Sequence, residues 1–424
     1  MIDNLIQLIR QGFETVKDHR SANSSYELAD LLSAGFAMFS LKDPSLLIFR
    51  KQISKRRENL ERVFGITNIP EDTALRKGLD KVKPKKIEEL FKIPLAELRS
   101  KGILKKRQVL GGYTAISCDA TGHYCSSKQQ CPHCLVKNYK KGGQQFYHQL
   151  LSAVMTHPSE KTVFPVANEA IIKQDGSTKN DCERNASKRL IPKIRTMLPD
   201  DKLLLIYDAL YANGPHLKLL IENKMSFISG IKDGYVMIQK ETLAQQDKLQ
   251  VKTWHQLGKT CILRYVNHLI LNGQHRDLKV NYFEYKETDN TTGETLFFSS
   301  WITDILITPD NCKELVAVAR CRWKIENETF NTLKNQGYHL EHNYGHGKHF
   351  LATNFALLTM LAFLVDQIAQ QFDKAFQKAW NKLGSKKLLW IEVKETFNIL
   401  PVMSMNVIYR FILGEIKIKI PPLE

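Results

Sequence analysis

The stretch RCRWKIENETFNTLK (residues 320–334) places charged side chains among large apolar ones at spacings typical of a helix. At about 100° per residue, Arg322, Glu326 and Leu333 fall within one narrow arc, with two aromatic residues beside it. Glu326 is therefore expected to project from the face that carries the bulky apolar side chains. A carboxylate in that position is destabilising unless a cation or a proton compensates its charge. The pattern predicts that Glu326 has such a partner.

Two aspartates each close an apolar strand pattern elsewhere in the chain. Asp119 ends the stretch YTAISCD, and Asp208 ends the stretch LLLIYD. Functional side chains gather at the ends of strands in α/β sheets, which makes both residues candidates for a site. Each aspartate could instead simply cap the loop or helix that follows it.

Together with Glu326, the two aspartates form a set of three carboxylates. Converging carboxylates repel one another, so such a set is stable only with bound cations or protons. Hard oxygen ligands suit Mg²⁺ or Mn²⁺, and two such ions can activate a nucleophile and stabilise the leaving oxygen in phosphoryl transfer. We therefore expect a two-metal site at Asp119, Asp208 and Glu326, with Arg322 as an auxiliary charge. A different helix phase, or a simple Arg322–Glu326 ion pair, is the alternative interpretation.

A second group of chemically distinctive residues lies in the stretch HYCSSKQQCPHCLVKNYKKGGQQFYH. Cys131 and Cys134 are separated by two residues on an expected turn, which suits one edge of a tetrahedral zinc site. Cys125 is the expected further ligand, and the nearest other candidates in sequence are Cys118 and His148. Buried free thiols are the alternative. A catalytic cysteine is disfavoured because no Cys–His–Asp arrangement is visible.

The stretch NYGHGKHF carries several cationic side chains close together. They are His346, Lys348 and His349, with His342 shortly before them. These side chains could place positive charge on a polyanion. Their spacing predicts no metal site, and a loop that caps the next helix is the simpler interpretation.

These residues must be positioned by a chain that changes character near residue 111. Residues 1–110 predict short basic helices joined by turns. Residue 111 begins an order of three strands, helix, strand, helix and strand, which is a mixed α/β order. Residues 234–300 predict short strands with polar turns, and helices return at Cys312. We therefore expect an α/β fold in which a helical N-terminal domain (1–110) precedes a sheet-based domain (111–370) and a helical tail (371–424).

Positive charge is concentrated in one part of the chain. The 424 residues carry a net charge of +17, and residues 50–107 alone contain 18 Lys/Arg against 8 Asp/Glu. Because lysines and arginines release counterions from nucleic acids, this basic region predicts a polyanionic partner. A solvated helical surface is the alternative.

Composition also argues against several classes of protein. No secretion signal is visible at the N-terminus, and the longest apolar run, residues 355–365, is too short to span a bilayer. Eight cysteines in such a chain indicate reduced thiols or a metal rather than a disulfide framework. We expect a soluble intracellular protein with no membrane partner.

The stretch CRWKIENETFNTLKNQGYHLEHNYGHG resembles the C-terminal catalytic block of bacterial insertion-sequence transposases of the DDE class. Its R-W-x-I-E portion matches the family's pattern and assigns Glu326 as the glutamate. SCDATG and IYDALYANG resemble the two aspartate strands of that family, which assigns Asp119 and Asp208. The resemblance extends over about residues 111–347. It implies a ribonuclease H-like core with a β-rich insertion before the glutamate.

The resemblance also implies DNA contacts beside the three carboxylates. Arg322 matches the family's arginine, whereas Ala319 stands where the family has a tyrosine and Leu333 where it has a lysine. Lys334 is therefore the expected phosphate-contacting lysine. In related hairpin-forming transposases an aromatic residue in this region holds a flipped base, which makes Trp301 a candidate for base stacking. A tryptophan buried in the core is the alternative.

These expectations combine into a DNA transposase that cuts the ends of a mobile element and joins them to target DNA by two-metal phosphoryl transfer. The implied partners are double-stranded DNA, as terminal inverted repeats and as target, and a second copy of the chain in a synaptic complex. The expected location is the bacterial cytoplasm, at the nucleoid. A metal-dependent nuclease on the same core and a catalytically inert DNA-binding regulator are the alternatives.

Overall fold

Strands from the middle of the chain form one continuous sheet. The computed structural model describes residues 1–173, 180–232 and 235–417, and eleven strands pair within these ranges. The strands are β1 (Gln108–Val109), β2 (Tyr113–Ser126), β3 (Leu135–Asn138), β4 (Gln144–His157), β5 (Glu160–Ile171), β6 (Lys202–Tyr207), β7 (Met225–Gly230), β8 (Gln250–Gln256), β9 (Lys259–Asn272), β10 (His275–Asp289) and β11 (Thr295–Thr303).

Helices surround this sheet. The helices before the sheet are α1 (Ile2–Glu14), α2 (Leu28–Ser40), α3 (Leu46–Lys51), α4 (Ile53–Phe64), α5 (Asp72–Asp80), α6 (Pro84–Glu88), α7 (Lys92–Ser100) and α8 (Ile103–Lys106). Those between and after the strands are α9 (Glu183–Met197), α10 (Gly214–Glu222), α11 (Val236–Ala244), α12 (Cys312–Ala319), α13 (Arg322–Lys324), α14 (Asn331–Asn335), α15 (Leu351–Phe372), α16 (Lys374–Leu383), α17 (Lys386–Ile399) and α18 (Met405–Leu413). The expected α/β class is confirmed.

Five strands form the part of the sheet that positions the candidate site. Their order is β5-β4-β2-β6-β7, with antiparallel pairing from β5 to β2 and parallel pairing from β2 to β7. This arrangement is consistent with the ribonuclease H-like core implied by the resemblance. Parallel pairing of β2 with β6 brings the carboxyl-terminal parts of these two strands to the same edge of the sheet.

Strand β2 is longer than the sequence pattern predicts. The expected strand end at Asp119 is wrong, because β2 continues to Ser126. Asp119 lies in the middle of β2, where it pairs with Ser152 of β4. The pattern ATGHYCS after residue 119 is a weak strand signal, and its extended conformation depends on the pairing with β4. Strand β6, by contrast, ends at Tyr207, immediately before Asp208, as predicted.

The insertion between β7 and α12 is built from long antiparallel strands. β9 has 14 residues and β10 has 15, so the expectation of short strands is wrong. The helix α11 was also not predicted. Strand β11 pairs antiparallel with β7, and the insertion thereby extends the core sheet rather than forming a separate one. The predicted boundary at residue 234 lies outside the described residues.

Helix α15 packs centrally between the sheet and the N-terminal helices. It contacts α2 on one side and β5 on the other, and its most apolar 18-residue window is 94% buried. The helix is long and apolar enough to cross a membrane by length and composition alone, but it is packed as a core helix. Side chains from all three predicted domains join one hydrophobic core. The division at residues 110 and 370 stays a prediction, and the end of the tail, residues 418–424, lies outside the described residues.

Candidate active site and a Cys/His cluster

The helix that carries Glu326 changes its winding at that residue. Ile325–Phe330 form a π-helical segment between α13 and α14. A turn closed by i→i+5 hydrogen bonds contains about one residue more than an α-turn, so the apolar face shifts along the sequence. Ile325 and Phe330 are buried, whereas the Glu326 side chain is 40% exposed. The predicted position of Glu326 in the middle of the apolar face is therefore wrong.

Arg322 is the partner that Glu326 has in this structure. Its Nη1 atom donates to Glu326 Oε1 at 2.6 Å and to Asp119 Oδ2 at 3.2 Å. The Arg322–Glu326 pair was the alternative interpretation of the sequence, and the structure adds Asp119 to it. One guanidinium thus bridges two of the three candidate carboxylates. These two residues, Asp119 and Glu326, are 207 positions apart in the chain.

Asp119 has an environment that disfavours its charged form. The pKa of Asp119 is raised to about 7, mainly by burial and in part by the nearby Glu326 carboxyl, which lies within hydrogen-bonding reach. The backbone N–H of Ala120 and the guanidinium of Arg322 oppose this shift only in part. At neutral pH the Asp119 side chain therefore retains a proton in part of the molecules unless a stronger cation than Arg322 is present.

The strand register brings Asp208 towards Asp119, beyond the paired parts of β2 and β6. Ser117 pairs with Ile206 in the parallel register of β2 and β6, and two further residues along each strand lead to Asp119 and Asp208. The Oδ1 atom of Asp208 accepts a hydrogen bond of 2.9 Å from the N–H of Leu210, so the predicted capping role is observed as well. Its carboxylate is half-buried, and its second oxygen is free of this cap.

Tyr211 connects the surroundings of the two aspartates. Burial raises the pKa of the Tyr211 hydroxyl, and the charges of both Asp208 and Asp119 contribute to the shift. The hydroxyl donates to Glu183 Oε2 at 3.3 Å. Burial also raises the pKa of Glu183, with a further contribution from Asp208. Glu183, the first residue of α9, is thus a fourth carboxyl group near the site that sequence reasoning missed, because no local pattern distinguishes it.

The donor chemistry of the three carboxylates fits divalent cations. Asp119, Asp208 and Glu326 offer hard oxygen atoms, and burial together with the nearby Glu326 raises the pKa of Asp119, a shift that a bound cation would oppose. Arg322 supplies one delocalised charge between two of the carboxylates, where a small divalent ion would supply two charges. The arrangement therefore has the residue types that hold Mg²⁺ or Mn²⁺ in phosphoryl-transfer enzymes.

The π-helical segment also bears on the expected lysine. In an α-helix the residue seven positions after Glu326 lies on the same side, and that residue is Leu333. The extra residue of the π turn moves this position to Lys334. Leu333 is fully buried, while the Lys334 side chain is 29% exposed and its Nζ lies 2.7 Å from Glu341 Oε1. The structure therefore places Lys334, and not Leu333, on the accessible side of the helix.

Trp301 is not placed to stack on a base. It lies in β11 with 6% of its surface exposed, and its ring stacks on Phe283 at 5.1 Å between centroids. The ring belongs to a second hydrophobic core, which is separate from the one shared by the three predicted domains and includes residues of β9, β10, β11 and α12. The alternative of a core tryptophan thus describes it correctly. The aromatic side chain that is exposed beside the carboxylates is Trp323, at 54%.

Two arginines of the basic region 50–107 are structural. Arg56 is fully buried and donates to Asp43 Oδ2 at 2.7 Å. Arg107 is 4% exposed and donates to the hydroxyl and the carbonyl of Thr162. Neither side chain can reach a polyanion in this conformation. Most of the remaining cationic side chains in the region are exposed.

Two cysteines and two histidines converge beside the paired strands β2 and β4. Cys131, Cys134, His148 and His346 place their potential ligand atoms within 4.8 Å of one another. Cys131 and Cys134 were predicted as a pair, and His148 was among the candidates that stayed open. His346 is a correction, because the spacing of its own segment predicted no metal site. It joins the cluster only through the tertiary fold.

Cys125, the expected further ligand, lies outside the cluster. It follows Tyr124 in β2, and successive side chains of a strand point to opposite faces. The Tyr124 ring faces His346 at 4.5 Å between centroids, so Cys125 points away and lies exposed beside Gln145. Cys118 is also elsewhere, fully buried in the core.

Within the cluster, a hydrogen bond with Cys131 lowers the pKa of the Cys134 thiol to about 7.

Comparison with known families identifies the family of this chain. Residues 111–364, more than half of the chain, match the family described as the transposase DDE domain, and the chain belongs to this family. No match was found among the curated proteins. Membership supports a function in transposition and DNA recombination. The matched range includes the two aspartates, the glutamate and the insertion between them.

Proposed function

We propose that this chain is a DNA transposase that cuts the ends of a mobile element and joins them to target DNA. Asp119, Asp208 and Glu326 would hold Mg²⁺ or Mn²⁺ ions, which, when bound, lower the charge barrier of phosphoryl transfer and activate the attacking oxygen. The observation that carries this proposal is the bridge from Arg322 to Asp119 and Glu326, which brings two of the family's acidic residues together.

The chain's own residues have distinct tasks in this proposal. The three carboxylates orient the site. One carboxylate oxygen would accept the proton that the attacking water or 3′-hydroxyl group loses, and the leaving 3′-oxygen would take up a proton. Arg322 would be available to contact a DNA phosphate once bound cations compensate the charges of Asp119 and Glu326. Lys334 holds a neighbouring phosphate, because it lies on the accessible side of the same helix. The second copy of the chain that the resemblance implies would hold the other element end.

Glu326→Gln tests the proposal most directly. The substitution keeps the shape of the side chain and removes its charge, so we expect cleavage and strand joining to fall by about 10²-fold or more. The fold and DNA binding should persist. Glu328→Gln, in the same π-helical segment but outside the bridge, is the matched control and should retain activity. A folded Glu326→Gln protein that cuts element ends at the wild-type rate would contradict the proposal.

The two alternatives differ from a transposase in their products. A metal-dependent nuclease on the same core would release cut ends but would not join a supplied 3′-hydroxyl end to a second DNA molecule. An inert regulator would bind DNA with neither reaction, and Glu326→Gln would then have no effect. Incubation of labelled element ends with a plasmid target in Mg²⁺ separates the three functions by their products.

A further inference from the structure

The Cys/His cluster lies apart from the three carboxylates and has the composition of a metal site. It offers two thiols and two imidazoles, the Cys₂His₂ set typical of structural zinc. Cys131 and Cys134 come from the segment between β2 and β3, and His148 comes from β4. His346 comes from the segment between α14 and α15. The described residues contain no other group of this kind with at least three ligand atoms together.

Five of the six distances within the cluster are close to the edges of a tetrahedron around zinc, and the sixth, from Cys131 to His346, is at most 4.8 Å. With Zn–S distances of about 2.3 Å and Zn–N distances of about 2.0–2.1 Å, the expected S···S, S···N and N···N separations are about 3.8, 3.6 and 3.3 Å. Cys131 Sγ and Cys134 Sγ are 3.8 Å apart. The S···N separations are 3.6 Å from Cys131 to His148, 3.4 Å from Cys134 to His148 and 3.2 Å from Cys134 to His346. The two Nε2 atoms are 3.2 Å apart.

We propose that Cys131, Cys134, His148 and His346 bind one structural Zn²⁺ ion. Both histidines present Nε2, and neutral imidazole nitrogens with thiolate sulfurs are the ligands that zinc prefers. Cys134, His148 and His346 are at most 6% exposed, and Cys131 is half-buried. Four protein ligands in a buried position leave no open place for water or substrate, so the ion is structural and takes no part in catalysis.

Backbone hydrogen bonds fix the positions of the two segments that carry three of the ligands. The backbone N–H of Cys131 points at Cys134 Sγ at 3.4 Å, and the N–H of Cys134 donates to the Cys131 carbonyl at 3.1 Å. These contacts hold the turn between the thiols. The carboxylate of Asp80 accepts hydrogen bonds from four successive backbone N–H groups, at residues 348–351, just after His346. A residue of α5 thereby fixes the segment that delivers the fourth ligand.

The ion would connect parts of the chain that carry the proposed active site. His148 lies on β4, which pairs with β2 on both sides of Asp119. His346 lies 20 residues after Glu326 and 198 residues after His148. A Zn²⁺ ion at this position therefore ties the segment after the glutamate helix to the strand pair that carries the first aspartate. This inference is independent of the proposed function, because it rests on the cluster alone.

Metal content tests the proposal without any assay of activity. Wild-type protein purified without a metal-affinity tag, from zinc-supplemented medium, should contain about one zinc per chain. Cys134→Ser and His346→Gln should each weaken zinc retention against a competing chelator by at least tenfold. Cys125→Ser and His349→Gln are the matched controls, since each makes the same chemical change near the cluster but outside it, and both should retain zinc. His346→Gln keeps both thiols and decides the question if Cys134→Ser does not fold.

Cobalt identifies the ligands by absorption. Co²⁺ added to chelator-treated, reduced wild-type protein should give the intense visible bands of a tetrahedral ion and the charge-transfer band of thiolate ligands. The His346→Gln spectrum should change while the His349→Gln spectrum stays the same. A wild-type protein that binds neither Zn²⁺ nor Co²⁺ would overturn the proposal. So would zinc that survives Cys134→Ser and His346→Gln, or that Cys125→Ser removes.

Discussion

At the scale of single residues, the main feature of the candidate active site is that an arginine lies between two carboxylates. Arg322 contacts both Glu326 and Asp119, and the pKa of Asp119 is nevertheless raised by burial. The guanidinium offsets only part of the repulsion between these carboxylates. The metal-free site is therefore expected to respond to any change in its positive charge, and divalent ions should compete with the arginine.

We expect Arg322→Gln to lower the free energy of unfolding by about 1–3 kcal/mol without divalent ions, because two carboxylates lose their common partner. The partial exposure of both carboxylates limits the loss. Mg²⁺ should restore much of the loss, since it can replace the missing charge. Arg320→Gln removes an arginine that pairs with Glu287 instead, and it should show no Mg²⁺-dependent recovery. Denaturant unfolding of both variants with and without Mg²⁺ checks this. Equal recovery in both would exclude metal binding at the bridge.

His216 is a second single residue with a testable effect: it should make the free energy of unfolding depend on pH. Burial lowers the pKa of His216 to about 4, and neither ring nitrogen has a hydrogen-bond partner among the residues that the structure describes. The unfolded chain binds a proton as the pH falls through about 6.5, whereas the folded chain binds it only near 4. Stability is therefore fully present above about pH 6.5 and is lost as the pH falls towards 4.

The size of this loss follows from the pKa difference of about 2.5 units, which corresponds to about 3 kcal/mol. His216→Leu removes the titrating group, so the variant should lose about 3 kcal/mol less than the wild type between pH 7 and pH 4. The ring packs against Tyr207 and Tyr211, and some loss of stability at pH 7 is expected from the altered contact. Parallel curves of unfolding free energy against pH would show that His216 is not the group responsible.

Single residues also show how far the sequence predicts the site. Asp119, Asp208 and Glu326 stand out in local patterns as candidates, although the strand end at Asp119 and the apolar-face position of Glu326 were wrong. Cys131 and Cys134 stand out because their spacing is itself a signal. His346 had no such signal: it meets Cys134 across 212 residues, and only the tertiary fold brings them together. The bridge from Arg322 to Asp119, across 203 residues, is of the same kind.

At the scale of elements, the π-helical segment decides which side chains face the site. It leaves Glu326 and Lys334 partly exposed and buries Leu333. Helical periodicity could not predict it, because a sequence pattern assumes constant winding. The strand pattern failed for β2 for a related reason: its second half is extended through pairing with β4, which residues 120–126 do not indicate by themselves.

Two tryptophans on neighbouring elements should behave in opposite ways. Trp301→Ala removes a buried ring from the second core and should lower the free energy of unfolding by about 3–5 kcal/mol. Trp323→Ala removes an exposed ring next to Arg322 and should leave stability nearly unchanged. If Trp323 contacts an unpaired base at the cut site, its loss weakens binding of a pre-cut DNA end by about 1–3 kcal/mol. Fluorescence anisotropy with pre-cut and intact duplexes measures this. If only the Trp301→Ala variant, fully folded, bound the pre-cut end more weakly, Trp301 and not Trp323 would be the residue that contacts the base.

At the scale of the whole molecule, the regions that the sequence predicts as separate domains share one hydrophobic core. The strand and helix patterns were sufficient for the α/β class and for a β-rich insertion. They could not show that β11 joins the insertion to β7, or that α15 packs against both α2 and β5, since such contacts depend on residues far apart in sequence. Because of this shared core, removal of residues 1–107 is expected to unfold the protein, and their role in DNA binding has to be tested by changes of charge.

A cleft of about 620 Å³ lies between α5, the segment just after β2 and the segment before α15, and it offers a place for such a test. Lys77, Lys128 and Lys348 line it and are exposed, and each phosphate contact contributes about −0.9 to the slope of log affinity against log salt. If the backbone of element DNA crosses this cleft, replacement of all three lysines by glutamine should make the slope less steep by about 2.7.

The matched control replaces three exposed lysines on the C-terminal helices, Lys374, Lys378 and Lys387, which lowers the net charge equally. A general loss of charge acts on both triple variants alike, whereas a specific footprint in the cleft changes the slope only in the first. Titrations of labelled duplex at several salt concentrations, with melting temperatures to confirm folding, measure both slopes. Equal slopes in the two variants would place the phosphate contacts outside the cleft and leave the rest of the basic region 50–107 as the surface to test next, with Lys51, Lys55 and Arg57 as its first exposed cations.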